Sequence, residues 1–159
     1  MNRAIYPQAN SPELIFGLVA GLASGDDAQL LRNKLFMGKS RQYSYYLNAA
    51  KYLGLVSSDR SGANLTQRGR QVSRQPFDLG GAYNLANAMI DIEIVRKLVQ
   101  LISNHVDPDI PYCQHLLSEE ANNLGVSYSP ETLHRRAQTF VRWALFTSQH
   151  LNEGEDRWI

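Results

Sequence analysis

The stretch from Ser40 to Pro76 constrains the fold more than any other part of the chain. Tyr43, Tyr46, Leu47, Ala50 and Leu53 recur at the i, i+3, i+4, i+7, i+10 spacing of one helical face, and Gly54 stops that helix. Leu55-Val56-Ser57-Ser58 then reads as a strand, Asp59-Arg60-Ser61-Gly62 as a turn and Ala63-Asn64-Leu65 as a returning strand. The aliphatics at the base of this hairpin can pack on the preceding helix and leave the polar tip in water. Thr66 is a good N-cap for a helix reaching about Ser73, and Pro76 closes the unit.

Two further helices precede this unit. Ser11-Pro12-Glu13 supplies an N-cap, a first-turn proline and an acid beside the free amides. Leu14, Phe16 (or Ile15), Leu18, Val19 and Leu22 follow at helical spacing, and Ser24-Gly25 ends the run. Asp26-Asp27 opens a second helix with Leu30, Leu31, Leu35 and Phe36 as its buried stripe. Gly38 breaks it, and Ser40 is placed to cap the third. Three helices and a two-stranded hairpin within about 65 residues is the plan of a winged helix-turn-helix domain, expected over residues 1–76.

Residues 77–159 repeat that plan loosely. A bridging helix is expected over residues 79–88, then a strongly apolar one carrying Ile92, Ile94, Val95, Leu98, Val99, Leu101 and Ile102 as far as His105. After the turn Asp107-Pro108-Asp109 comes a helix with Cys113, Leu116, Leu117, Ala121 and Leu124, stopped by Gly125. Ser129-Pro130-Glu131 repeats the opening of residues 11–13. Its helix, to about His150, lines up Leu133, Ala137, Phe140, Val141, Ala144 and Leu145. A second helix-turn-helix domain follows, its wing missing or beyond Ile159. The expected fold class is therefore mainly α, two winged helix-turn-helix units, the first with a small two-stranded wing.

The net charge of +1, taken whole, argues against a nucleic-acid partner; resolved along the chain, it does not. Through Pro76 there are ten basic residues against four acids, a balance of +6; from Phe77 onward there are six against eleven, a balance of −5. Within residues 32–74 nine basic residues face only Asp59. That is the footprint of a polyanion-binding surface, although a solvated basic face with no partner has the same composition. The remaining composition, 43% hydrophobic and 19% charged, is that of an ordinary globular protein. No apolar run has the length of a membrane span, residues 1–10 lack the pattern of a secretory signal, and the single Cys113 allows no internal disulfide. A cytoplasmic, nucleoid-associated bacterial protein without a membrane partner is expected.

Residues 41–56, Arg-Gln-Tyr-Ser-Tyr-Tyr-Leu-Asn-Ala-Ala-Lys-Tyr-Leu-Gly-Leu-Val, followed by Leu65-Thr66-Gln67-Arg68-Gly69-Arg70, resemble a recurring winged-helix phrase. In that phrase paired alanines lead to Leu-Gly-Leu at the end of the recognition helix, and a second strand ends in Leu-Thr before a Gly-Arg pair. Ser129, Thr132, Arg135, Arg136, Thr139 and Trp143 are similar to the last helix of DNA-recognition modules attached to some bacterial restriction endonucleases. The resemblance implies a tandem winged-helix DNA reader from a restriction, defence or regulatory protein. Winged helices also dock proteins, so a module that holds a partner subunit is the alternative.

On the recognition-helix reading, Arg41 can pair with guanine and Gln42 with adenine, while Lys39 and Ser40 meet phosphate at the helix start. Ser44, Tyr45 and Asn48 extend that flank. Arg60 at the wing tip reaches a phosphate or the minor groove, and Arg68 and Arg70 serve as phosphate clamps. In the second unit Thr132, Arg135, Arg136, Gln138 and Arg142 are the candidates. Arg135 and Arg142 lie two turns apart along one groove, and Arg136 is within reach of Glu131 or Glu120. The partner expected is double-stranded DNA, with a nuclease domain, a partner subunit or a second copy of the chain as further associates. The tail over residues 152–159 reads either as a natural terminus or as a linker.

Enzymatic readings find little support in the sequence. Pro108-Asp109 begins a nuclease-like pattern, but no Asp/Glu-x-Lys follows, since Lys97 is the last lysine. Cys113, His105, His115 and His134 lack zinc-ligand spacing, and Gly17, Gly21 and Gly25 punctuate a helix rather than a phosphate loop. No catalytic residue, metal or cofactor is expected.

Overall fold

Side-chain caps set the starts of the first two helices. Ser11 Oγ accepts the Leu14 N–H at 3.2 Å to open α1 (Pro12–Ala23), and Asp27 Oδ1 accepts the Leu30 N–H at 2.8 Å to open α2 (Ala28–Phe36). The structure, a computed structural model, describes the backbone of residues 6–156 and the side chains of residues 6–152. The expectations for residues 1–5 and for the tail beyond Asn152 lie outside those side chains.

The burial of α2 departs from its expected stripe. Leu31 and Phe36 are buried and Leu35 is half-buried, but Leu30 is 48% exposed because it sits on the outer side of the first turn. Met37 and Gly38 then take left-handed backbone angles, φ 51° and 78°, and turn the chain into α3 (Ser40–Tyr52). The cap expected from Ser40 is not made. Lys39 occupies the cap position and Ser40 is already the first helical residue, so no side chain closes the amides of the first turn.

Tyr43, Tyr46, Ala49, Ala50 and Leu53 form the buried side of α3, with Leu47 half-buried at its margin. β1 (Val56–Asp59) and β2 (Gly62–Leu65) pair antiparallel, Val56 opposite Leu65 and Asp59 opposite Gly62. The turn is tied by Asp59, whose carboxylate accepts the Ser61 N–H at 2.8 Å and the Asn64 side-chain amide at 3.0 Å. Thr66 Oγ1 accepts the Gly69 N–H at 3.0 Å and starts α4 (Gln67–Val72), as its sequence requires. At Gly69 a Cβ would overlap the Leu55 carbonyl oxygen, so only glycine lets α4 close on the hairpin base.

A short 3-10 turn at Phe77–Leu79 leads to α5 (Gly81–Met89), α6 (Glu93–Ser103), α7 (Ile110–Asn123) and α8 (Pro130–Asp156). The chain is thus mainly helical with one two-stranded hairpin among the described residues. α8 spans 27 residues and packs against α5, α6 and α7 together. Being surrounded, it buries more than one stripe: Ala137, Thr139, Phe140, Trp143, Ala144, Phe146 and Thr147 are all buried. Of the expected stripe, Leu133 and Val141 are only half-buried and Leu145 is 46% exposed.

The two halves share one core. Residues 6–10 run as an extended strap across α7 and α8. The Tyr6 hydroxyl donates between Glu120 Oε1 at 3.0 Å and the Leu117 carbonyl at 3.2 Å, with its ring against Phe140 and Tyr128. Phe77 joins Phe16 of α1 to Phe146 of α8, and Tyr52 of α3 meets Phe140 and Trp143. The buried side chains therefore form one continuous cluster across the Pro76–Phe77 junction. No helix among the described residues is long and apolar enough to cross a membrane.

Candidate nucleic-acid interface

The face of α3 opposite its buried tyrosines is polar and open. Lys39, Ser40, Arg41, Gln42, Ser44 and Asn48 are exposed, and Tyr45 is half-buried at the edge. No hydrogen bond or ion pair with another described residue occupies the side chains of Lys39, Arg41, Gln42 or Asn48. Arg41, Tyr45 and Asn48 lie at i, i+4 and i+7 and so form one strip. On the inner side, Phe36 packs on Tyr43 and Tyr46, the Arg32 guanidinium lies 5.9 Å from the Tyr43 ring centroid, and the Tyr46 hydroxyl accepts the Ser11 N–H at 3.1 Å. Burial raises both phenols, keeping them neutral. The helix is thus anchored on one side, with two guanine- and adenine-competent side chains at its uncapped end.

At the hairpin tip Arg60 is exposed, while its neighbour Asp59 is occupied by the turn. Hydrogen bonds from the Ser61 hydroxyl and N–H, and from Asn64, hold the Asp59 carboxyl below its usual range. The one acid of residues 32–74 therefore stays ionised beside Arg60, fixed within its own turn. Arg70 is exposed and, with Arg74, lines an open cleft of about 430 Å³ between the end of α1, β2 and α4. Arg68 points elsewhere: it pairs with Asp91 at the start of the α5–α6 turn, so it is not a free phosphate clamp.

The α8 candidates divide. Thr132 belongs to the helix start, where Ser129 Oγ accepts its N–H at 3.2 Å and donates to its hydroxyl at 3.0 Å. Gln138 is half-buried, Arg142 is exposed near Tyr46, and Arg135 is exposed in a cleft of about 370 Å³ with Gln114, Glu131 and His134. Arg136 turns towards neither Glu131 nor Glu120. It is half-buried, with Tyr128, Tyr45 and Arg135 within electrostatic range, and its Nε is buried with no hydrogen-bond partner. Burial lowers its pKa, and no carboxylate opposes that effect.

Thr139 and Trp143 serve the strap. Thr139 Oγ1 accepts the Ala9 N–H at 3.2 Å and donates to Asn10 Oδ1 at 2.7 Å, and Trp143 Nε1–H donates to the Ala9 carbonyl at 2.9 Å. The structure sets Tyr45 of the α3 strip within electrostatic range of Arg136, and leaves Arg68 and Thr132 committed to internal bonds. Tyr128 was not among the sequence candidates. A lone tyrosine in a loop of no periodicity gives no signal of its contact.

Among the described residues no group of three or more His, Cys, Asp and Glu side chains gathers as a metal site. Cys113 is fully buried and burial pushes its thiol up to about 12, a setting opposite to that of a nucleophilic cysteine. His115 pairs with Glu119 on the outer side of α7 at 3.1 Å.

Residues 26–150 match the family described as "Domain of unknown function (DUF7226)", and the chain belongs to that family. No curated protein and no solved structure matches the chain.

Proposed function

We propose that this DUF7226 member binds double-stranded DNA, with the exposed strip of α3 facing base edges in the major groove. Arg41 donates its paired N–H groups to guanine, Gln42 reads adenine, and Lys39 with the uncapped first turn takes a backbone phosphate. Arg60 on the hairpin reaches the flanking backbone, and the exposed Arg70 and Arg142 add to the field around it. The observation that carries this reading is the unengaged state of the α3 polar strip at the centre of the most basic segment of the chain. Side chains with donors to spare, held on a helix fixed by a tyrosine-lined core, are pre-organised for an outside partner. Such a reader serves either transcriptional regulation or target recognition for a nuclease in a restriction or defence assembly.

Fluorescence anisotropy on a labelled mixed-sequence duplex tests this, together with selection of preferred sites from random duplexes. Arg41→Ala is expected to cost ~1–3 kcal/mol on a selected site and to relax the preference at one base position. Unchanged affinity and preference in that variant would refute base reading by α3. Saturable binding of another protein through the same strip, with no duplex binding at low salt, would instead establish the docking alternative.

A further inference from the structure

Arg136 stands out because its surroundings do not repay its burial. The guanidinium has lost part of its water, its Nε has no hydrogen-bond partner, and its charged neighbour is another arginine. A planar cation so placed, with its terminal nitrogens still reaching solvent, is a ready seat for an anionic oxygen, which would pair with those nitrogens and offset the excess charge. Tyr45 of α3, in the strip that includes Arg41 and Asn48, lies within electrostatic range of it, and Tyr52, two turns further along α3, packs against Phe140 and Trp143 of α8. We infer that Arg136 and Tyr45 form a phosphodiester-binding point that carries the α3 interface onto α8, so that one DNA backbone is gripped by both halves of the chain. The inference rests on the duplex-binding reading above.

Two features set the direction of this assignment. The strap of residues 6–10 fastens α8 close to the α3 side through Thr139 and Trp143, so the relative position of Arg136 and Tyr45 is built into the shared core. The carboxylates that would otherwise neutralise Arg136 are used elsewhere: Glu120 receives the Tyr6 hydroxyl, and Glu131 lines the cleft on the Arg135 side. A phosphate contact of this kind holds register without reading sequence, so it complements Arg41 rather than duplicating it.

The test compares the full chain with Arg136→Gln, Arg136→Lys and Arg41→Ala on several unrelated duplexes across a salt series, with thermal melts of each variant. Arg136→Gln is expected to bind about 10-fold more weakly at low salt, by a similar factor on every sequence. Its log–log salt slope should be shallower by about one, while its melting temperature is unchanged or higher. Arg136→Lys keeps the charge and should restore the slope. If Arg136→Gln matches the wild type in affinity and slope while Arg41→Ala weakens binding, the phosphate point is wrong and the α3 reading stands. If Arg136→Gln binds more weakly with an unchanged slope and a lowered melting temperature, Arg136 is structural and the inference falls. Absence of duplex binding by the wild type overturns both.

Discussion

Replacing Thr139 by Val tests whether this residue of α8 contacts DNA or holds the amino-terminal strap. The two side chains have nearly the same shape, so the change removes a hydroxyl without opening a large cavity. Thr139 is fully buried, and its Oγ1 is the acceptor for the Ala9 N–H at 3.2 Å. Loss of that acceptor leaves a buried amide unpaired, a cost of ~1–3 kcal/mol. The second bond, to Asn10 Oδ1, contributes less because Asn10 is exposed and can turn to water. A total near 2 kcal/mol corresponds to a fall of about 4–8 °C in melting temperature for a domain of this size. Urea unfolding followed by tryptophan fluorescence is the direct assay, since Trp143 donates to the same residue, Ala9. DNA affinity below the new melting point should be unchanged. A variant that melts within a degree of the wild type but loses duplex affinity would refute the structural role given to Thr139.

Two further outcomes follow from single contacts. Asp91→Asn releases Arg68 from its exposed ion pair, so duplex affinity should rise a few-fold and the salt slope should steepen, measured by anisotropy, while stability changes by less than ~1 kcal/mol. Cys113, raised to about 12 from an ordinary value of 9.0, should react negligibly with a thiol-specific chromogenic disulfide at pH 8 until the protein unfolds. The sign of its pH dependence follows from a raised folded pKa. Its contribution is fully present below pH 9 and is lost as pH rises towards 12, at up to ~1.4 kcal/mol per pH unit relative to Cys113→Ala in paired denaturation curves.

The elements whose signals are local were readable from the sequence. The Ser11, Asp27, Thr66 and Ser129 caps, the Asp59–Gly62 turn and the tyrosine face of α3 depend on residues three or four apart, and each forms where spacing places it. Periodicity failed where a helix meets more than one neighbour. α8 touches three helices and the strap, so Thr139 and Trp143 are buried while Leu145 is not. The strap itself has no period to detect, and its partners lie more than 100 residues away, as between Tyr6 and Leu117. The candidate interface shows the same division. The open face of α3 was legible because amphipathicity is local, whereas the pairing of Arg68 with Asp91 and the setting of Arg136 near Tyr45 depend on tertiary packing. Ser40 failed as a cap by a single position, because the left-handed Met37-Gly38 turn delivers the chain into the helix one residue early.

The most direct test of DNA binding is the affinity of the full chain for a duplex as a function of salt. Lys39, Arg60, Arg136 and one further flank cation would neutralise about four phosphates, so log Kobs should fall linearly with log salt at a slope of about −3 to −4. A slope near zero, or no binding at ~50 mM salt, would contradict it.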